Sequence, residues 1–177
     1  MSESYPNPLG LTQTILKLLI KLNILFGVFI LGLLAASFVA EDFMMRALGA
    51  SHPDHAGSNT MLVMGMRTIM VIGILAVPFT QAVLKRLLEI VETVKVGDPF
   101  VIKNADRLQT IAWSVLGLQL MHLVVGGVAR IVESGGHPFD IGWKFSITPW
   151  LVVLLCFVLA RVFEQGARMR EDLEGTV

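Results

Sequence analysis

Two ionisable residues, Arg67 and His122, lie inside long apolar stretches of this sequence. Each stands six residues from one end of its stretch, which corresponds to roughly 9 Å along a helix. Gln119 precedes His122 by three residues and therefore shares its helix face. Ionisable residues in apolar segments are candidates for a functional polar pocket. In the structural alternative, Arg67 extends to the polar boundary and His122 packs as a neutral ring.

Histidine and carboxylate side chains also occur together in a polar segment. His52, Asp54 and His55 lie within four residues of one another, and His137 occurs in a later loop. Imidazole and carboxylate groups can bind a divalent metal such as zinc. Because their spacing matches no established site, we prefer solvated loop histidines and predict no bound metal, with a site at His52 and His55 as the weaker alternative.

A third set of candidates follows the second apolar stretch: Asp98, Pro99, Phe100, Asn104 and Arg107. Gly97 predicts the end of one helix, and the next two residues suit the start of another. Asp98 would be the N-cap and Pro99 the first helical residue, with Asn104 as a second candidate cap. These local roles explain the residue types. The same residues could also form a surface that binds a protein partner, and the sequence leaves both interpretations open.

No pattern in the chain indicates catalysis. The sequence lacks a glycine-rich phosphate loop, paired carboxylates within an apolar stretch, and a His-Glu-x-x-His motif. Ser114 and His122 would lie about two turns apart on one helix, too far for direct contact. The single cysteine, Cys156, excludes an intramolecular disulfide. We therefore expect a non-enzymatic protein without a cofactor.

Four apolar stretches must position these residues. They cover 18–39, 61–84, 108–128 and 145–162. A hydrocarbon core of ~30 Å requires about 20 helical residues, and only the fourth stretch is shorter, with Pro149 near its start. Hydrophobic residues make up 54% of the 177 residues, above the ~45–50% of soluble domains. We predict a single domain, 1–177, that is an all-α integral membrane four-helix bundle.

The second stretch should form a helix that extends beyond the bilayer. Its pattern continues to about Val96, with apolar residues on one face and charged residues on the other. A helix over 61–96 would measure roughly 54 Å, so about three turns should project. We therefore predict a cytoplasmic amphipathic helix and turn between the second and third spans, which we name the elbow, residues 85–107.

Basic residues predict the orientation. With four spans both termini share one side, and ten of the 14 Lys and Arg residues fall on that side or in the elbow. Because short cytoplasmic loops are enriched in Lys and Arg, we predict a multi-pass cell-membrane protein with both termini and the elbow in the cytoplasm. Because 14 acidic residues balance the 14 basic ones, we expect no direct binding of nucleic acid. The four apolar stretches make the lipid bilayer an expected partner.

Two motifs carry a resemblance to a known family. The first is Gly97-Asp98-Pro99-Phe100, a spacer, Asn104, and Arg107-Leu108 at the start of the third stretch; the second is Phe163, Gly166, mixed charges and a terminal Thr-Val. Residues from about 11 to 177 resemble a family of small four-span bacterial membrane proteins known as a domain of unknown function (number twenty-nine seventy-five). Its members are often encoded beside a small helix-turn-helix regulator. The resemblance therefore implies, by analogy, a cytoplasmic DNA-binding partner.

Two functions stay open. The first is a sensor or regulatory partner that docks a cytoplasmic protein through the elbow. The second is a small oligomeric transporter or channel whose polar path contains Arg67, Gln119 and His122. A path needs polar residues at every depth, and the inner half offers mainly Asn23, Thr80 and Ser114. We therefore prefer the first function.

Small residues of the first stretch recur at four-residue spacing: Gly32, Ala36 and Ala40. This spacing places them on one helix face, where small side chains permit close approach of a second helix. It indicates packing within the bundle or, as the alternative, a seam between copies in a homo-oligomer.

Overall fold

The computed structural model describes residues 8–40, 43, 46, 59–134, 143–144 and 146–174. Within these residues the chain forms four long α-helices: α1 (Pro8–Val39), α2 (Asn59–Val96), α3 (Ile102–Ser134) and α4 (Thr148–Glu174). Each is long and apolar enough to cross a membrane. The all-α class and the helical nature of the four apolar stretches are thus confirmed, and the chain has the composition of a multi-pass membrane protein.

The first helix begins before its apolar stretch. The predicted stretch begins at 18, but α1 starts at Pro8. Proline is compatible with the first turn because its missing N–H would have no intrahelical acceptor there. Helix α1 therefore extends beyond the predicted stretch at its N-terminal end.

The second helix follows the prediction closely. α2 continues through Pro78 and ends at Val96. Gly97 has a φ of 88°, and its N–H donates to the Val94 carbonyl at 3.1 Å. The Asp98 N–H donates to the Thr93 carbonyl at 3.0 Å. These two bonds form a Schellman motif, in which glycine supplies the left-handed residue after the helix.

The third helix differs from the prediction at both ends. It begins at Ile102, so Asp98 is not its N-cap, Pro99 is not its first residue and Asn104 lies within its first turn. The Asn104 N–H donates to the Val101 carbonyl at 2.9 Å. Val101, the residue before the helix, is therefore at the N-cap position, and neither polar candidate takes that position. α3 also continues to Ser134, past the end of the predicted stretch at 128.

The chain forms two compact units. The first unit comprises Met1–Ile24, Pro78–Leu118 and Ile147–Val177, and it contains the elbow and α4. The second unit comprises Leu25–Val77 and Gln119–Ser146. It contains Arg67, Gln119 and His122. The two groups of candidate residues therefore belong to different units.

Glycines mark close helix contacts within the second unit. A Cβ added at Gly27 would lie 3.0 Å from a Val77 methyl group, and one added at Gly65 would overlap the side chain of Val132. Gly32, in the predicted small-residue stripe, has no atom within 4 Å of that position. Of these two α1 glycines, Gly27 therefore contacts α2 and Gly32 contacts none of the described residues. The homo-oligomer seam stays a prediction.

Candidate functional site

Asn104 is the centre of a hydrogen-bond network in the elbow. Its side chain is fully buried. Its Nδ2 donates to the Thr93 hydroxyl at 2.7 Å and to the Pro99 carbonyl at 2.8 Å. Its Oδ1 accepts from Arg107 Nη1 at 2.8 Å. Both amide hydrogens and the carbonyl are satisfied, which is the condition for burying such a group without a penalty of ~1–3 kcal/mol per polar atom.

A carboxylate on α2 continues the network. Glu89 accepts from Arg107 Nε at 2.9 Å through Oε2 and from Arg86 Nη1 at 2.9 Å through the same oxygen. Glu89 lies in the elbow, outside the predicted spans. Burial acts to raise the pKa of its carboxyl group, but the hydrogen bonds and positive charges of Arg86 and Arg107 outweigh burial and leave this pKa below its ordinary value. Arg107 therefore joins the start of α3 to the end of α2.

The loop of the elbow also contacts α4. Asp98 pairs with Arg170, and the ring of Phe100 lies 5.4 Å from that of Phe163 between centroids. A Cβ added at Gly166 would lie 3.1 Å from the Phe100 ring. The two motifs that carried the family resemblance thus contact each other, because Phe163 and Gly166 form the surface against which Phe100 packs.

These contacts divide the predicted partner-binding residues into two groups. Asn104 is buried, and only about a fifth of the Arg107 side chain is exposed. Both hold the elbow together through these bonds, and the contact of either residue with a partner stays a prediction. The carboxylate of Asp98 and the ring of Phe100 remain accessible, with 42% and 46% exposure.

Arg67 interacts with the C-terminal end of α1 within the second unit. Its Nη2 donates to the Ser37 carbonyl at 2.6 Å, its Nε donates to the Ser37 hydroxyl at 3.2 Å, and its guanidinium lies 4.1 Å from the Phe38 ring centroid. Since α1 ends at Val39, the Ser37 carbonyl is among the last four, which lack an intrahelical donor. A cation at a helix C-terminus also interacts favourably with the partial negative charge that the helix dipole places there. Arg67 therefore acts as a helix cap.

His122 lies under a tryptophan that the sequence analysis did not single out. Trp143 stacks on the His122 ring at 5.8 Å between centroids, and its Nε1 donates to the His122 carbonyl at 3.0 Å. The Arg130 guanidinium lies 5.3 Å from the same indole. A Cβ at Gly126 would overlap this ring. The sequence did contain a signal for this ring contact. His122, Gly126 and Arg130 recur at four-residue spacing, so a glycine lies between two polar side chains on one helix face and leaves space for a ring.

Gln119 is buried and makes no side-chain hydrogen bond with the residues that the structure describes. Arg67 thus contacts α1, and His122 contacts Trp143. Among the described residues no group of three His, Cys, Asp or Glu side chains could hold a metal ion. His52 and His55 lie outside the described residues, as does His137. The polar pocket and the transporter alternative stay predictions.

Comparison with known proteins adds one finding. A family model described as "Protein of unknown function (DUF2975)" matches residues 43–177. The match includes the elbow and the C-terminal motif and begins after α1, whereas we expected the resemblance to start near residue 11. No curated protein and no solved structure matches the chain.

Proposed function

The chain belongs to the DUF2975 family of proteins of unknown function, and we propose that it is a non-enzymatic integral membrane protein that binds a cytoplasmic protein through the elbow. One observation carries this proposal. Four large apolar side chains are exposed within nine residues of the elbow: Val94, Val96, Phe100 and Ile102. We name these four residues the apolar patch. Apolar side chains that are exposed together outside a hydrocarbon layer are typical of protein interaction sites.

The patch lies on a segment whose backbone is held in place. The Asn104 network joins α2 to α3, while Asp98 and Phe100 join the loop to α4. A surface that is already ordered loses less conformational entropy on binding than a mobile loop does. The elbow therefore offers a partner both apolar contact area and a low ordering cost.

The cytoplasmic location of the elbow is supported by helix length and charge. α2 has 38 residues and measures roughly 57 Å, well beyond the ~30 Å of a hydrocarbon core. Its excess length carries the charged side chains at its C-terminal end, such as Arg86, Glu89 and Lys95. Together with the excess of basic residues on the side of the termini, this supports cytoplasmic termini and a cytoplasmic elbow.

The partner that best fits is a small helix-turn-helix DNA-binding protein. This identity comes from the family analogy rather than from the contacts of the elbow. Such a partner would place a regulator at the membrane and leave the DNA contacts to the regulator, which agrees with the zero net charge of this chain. The sensor role of the second unit is a further part of this proposal, without a ligand assigned.

Purification of tagged protein from membranes tests the proposal. Val96 is the most exposed member of the apolar patch, at 84%, so Val96→Ser removes apolar contact without disturbing the Asn104 network. Met169→Ser, at a residue of 62% exposure on α4, is the matched control. We expect a small DNA-binding protein to copurify with the wild type and with Met169→Ser, and to be reduced severalfold with Val96→Ser. Equal recovery with all three, or recovery of no soluble protein, would contradict the docking role.

A further inference from the structure

A groove of about 620 Å³ lies between α3 and α4 in the first unit. Its sides come from Ala105 and Gln109 on α3 and from Phe157 and Ala160 on α4. Ala105 and Ala160 are both buried, and their small side chains leave the space between the helices unfilled. The groove thus results from two alanines at facing positions, where larger side chains would have closed the helix contact.

The groove is apolar at one end and charged at the other. At the apolar end, Phe157 packs edge-to-face against Trp113, with ring centroids 5.3 Å apart. At the charged end are Asp106 from α3 and Arg161 and Arg168 from α4. The predicted spans begin at 108 on α3 and end at 162 on α4. The groove therefore crosses the level at which hydrocarbon gives way to lipid headgroups, which favours an occupant that is itself half apolar and half charged.

The two arginines at the mouth pair with one carboxylate on the same helix. Glu164 accepts from Arg161 Nη1 and from Arg168 Nη2, each at 2.7 Å. Both contacts engage a single nitrogen of each guanidinium, which has five N–H donors in total. Donors therefore remain on two adjacent arginines, the arrangement that binds phosphate oxygens well.

The negative charge at the mouth lies on the opposite helix. The Asp106 carboxylate has no hydrogen bond or ion pair with any residue that the structure describes. The groove is lined by two carboxylates, and Glu164 is already paired with the two arginines. Asp106 is therefore the carboxylate that can bind the cation of a ligand. A ligand with both a phosphate and an N–H-bearing cation would match the two helices, the phosphate at α4 and the cation at α3.

We propose that this groove binds a zwitterionic phospholipid that carries a primary ammonium group. Arg161 and Arg168 bind its phosphate, Asp106 binds its ammonium, and the space between Ala105, Phe157 and Ala160 holds the upper part of an acyl chain. Basic pockets between helices on the cytoplasmic side are known to bind lipid headgroups. The acidic residue is what distinguishes this groove, because it selects a headgroup with a cationic end.

Native mass spectrometry of the purified full-length protein with an equal mixture of phosphatidylethanolamine, phosphatidylglycerol and phosphatidylcholine tests the proposal. All three lipids should carry identical acyl chains. Phosphatidylglycerol lacks an ammonium group, and phosphatidylcholine has a quaternary ammonium group without N–H donors. We expect phosphatidylethanolamine to be retained preferentially. Asp106→Asn should reduce that preference roughly fivefold, the factor for a partly exposed ion pair of about 1 kcal/mol.

Arg161→Gln/Arg168→Gln should lower the occupancy of all three lipids, since all three carry the phosphate. Two control variants match the charge changes outside the groove. Glu92→Gln on α2 removes an exposed acid, and Lys17→Gln/Lys21→Gln on α1 removes two exposed cations. Both should behave as the wild type, which separates the groove from general attraction between charged residues and headgroups.

Three results would overturn the assignment. They are equal or greater retention of phosphatidylglycerol by the wild type, an unchanged preference in Asp106→Asn, and displacement of the lipid by equimolar glycerophosphoethanolamine, which would indicate a soluble ligand. The inference rests on the membrane placement under the proposed function and not on docking at the elbow. Recovery of the protein in the soluble fraction would contradict the membrane placement itself, whereas loss of lipid selectivity alone would leave the docking role intact.

Discussion

Polar residues are used differently in the two units. In the elbow, Asn104, Arg107 and Glu89 bond mainly through their side chains, and one of them is completely buried. In the second unit, Arg67 and Trp143 each donate to a main-chain carbonyl, of Ser37 and of His122. The first arrangement requires particular residue types at several positions. The second arrangement requires only a hydrogen-bond donor close to a main-chain carbonyl of a helix.

This difference changes which residues are attractive as functional candidates. An ionisable residue inside an apolar stretch is a functional candidate by default, yet Arg67 has a structural role that accounts for its position. The elbow lies outside the predicted spans and carries the more specific arrangement. Its buried network explains why the segment is ordered, and its apolar patch stays exposed although one member, Phe100, packs partly on Phe163.

The largest effect should come from Asn104. Asn104→Leu removes three hydrogen bonds, leaves the Pro99 carbonyl without its donor and takes one acceptor from Arg107, which keeps Glu89. We expect the free energy of unfolding to fall by ~2–3 kcal/mol. Thermal unfolding in detergent, followed by circular dichroism, measures this change. Gln119→Leu is the matched variant in the second unit, since Gln119 is buried without a described side-chain bond, and it should be nearly neutral. Equal losses would remove the contrast between the units.

The next effect should come from Gly126, where an added methyl group overlaps the Trp143 indole. Gly126→Ala should displace the ring and lower the free energy of unfolding by about 1–2 kcal/mol, because overpacking exceeds the gain in helix propensity. Gly127→Ala is the control: no atom lies within 4 Å of its Cβ position. This control should raise stability by ~0.5–1 kcal/mol. A stabilising Gly126→Ala with unchanged tryptophan fluorescence would show that Trp143 does not lie there.

A smaller effect is expected at Arg67. Arg67→Gln removes the cation from the end of α1 and should lower the free energy of unfolding by ~1 kcal/mol, the usual value for a charge at a helix terminus. Partner recovery in the membrane purification should be unchanged. If Arg67→Gln keeps full stability but abolishes partner recovery, Arg67 has a signalling role and the distinction between the two units is wrong.

The smallest effect should be that of the ion pair between Asp98 and Arg170. Both side chains are more than two-fifths exposed, so solvent screens their attraction. A double-mutant cycle with Asp98→Asn and Arg170→Gln should give a coupling energy of about 0–1 kcal/mol that declines with added salt. A larger coupling that is insensitive to salt would mean that this pair, rather than the packing of Phe100 on Phe163, holds the elbow to α4.

The helices could be predicted because their signals are local and repeated. Apolar length located all four, and Gly97 marked the end of α2 through its own backbone preference. The start of α3 could not be found in this way, because Asp98 and Asn104 are both good caps and neither is used. Asn104 instead bonds to Thr93, eleven residues earlier, and that choice depends on how α2 and α3 pack. The same reasoning applies to Trp143, whose contact with His122 joins residues 21 positions apart.

The most direct test of the docking role identifies what touches the elbow in living cells. A photo-crosslinking amino acid can be placed at residue 96, in the apolar patch, and at residue 169 on α4 as the control. The account predicts a discrete adduct with a small cytoplasmic DNA-binding protein at residue 96 and none at residue 169. Adducts with lipid alone at residue 96 would contradict it, because the apolar patch would then lie in the membrane instead of facing a protein.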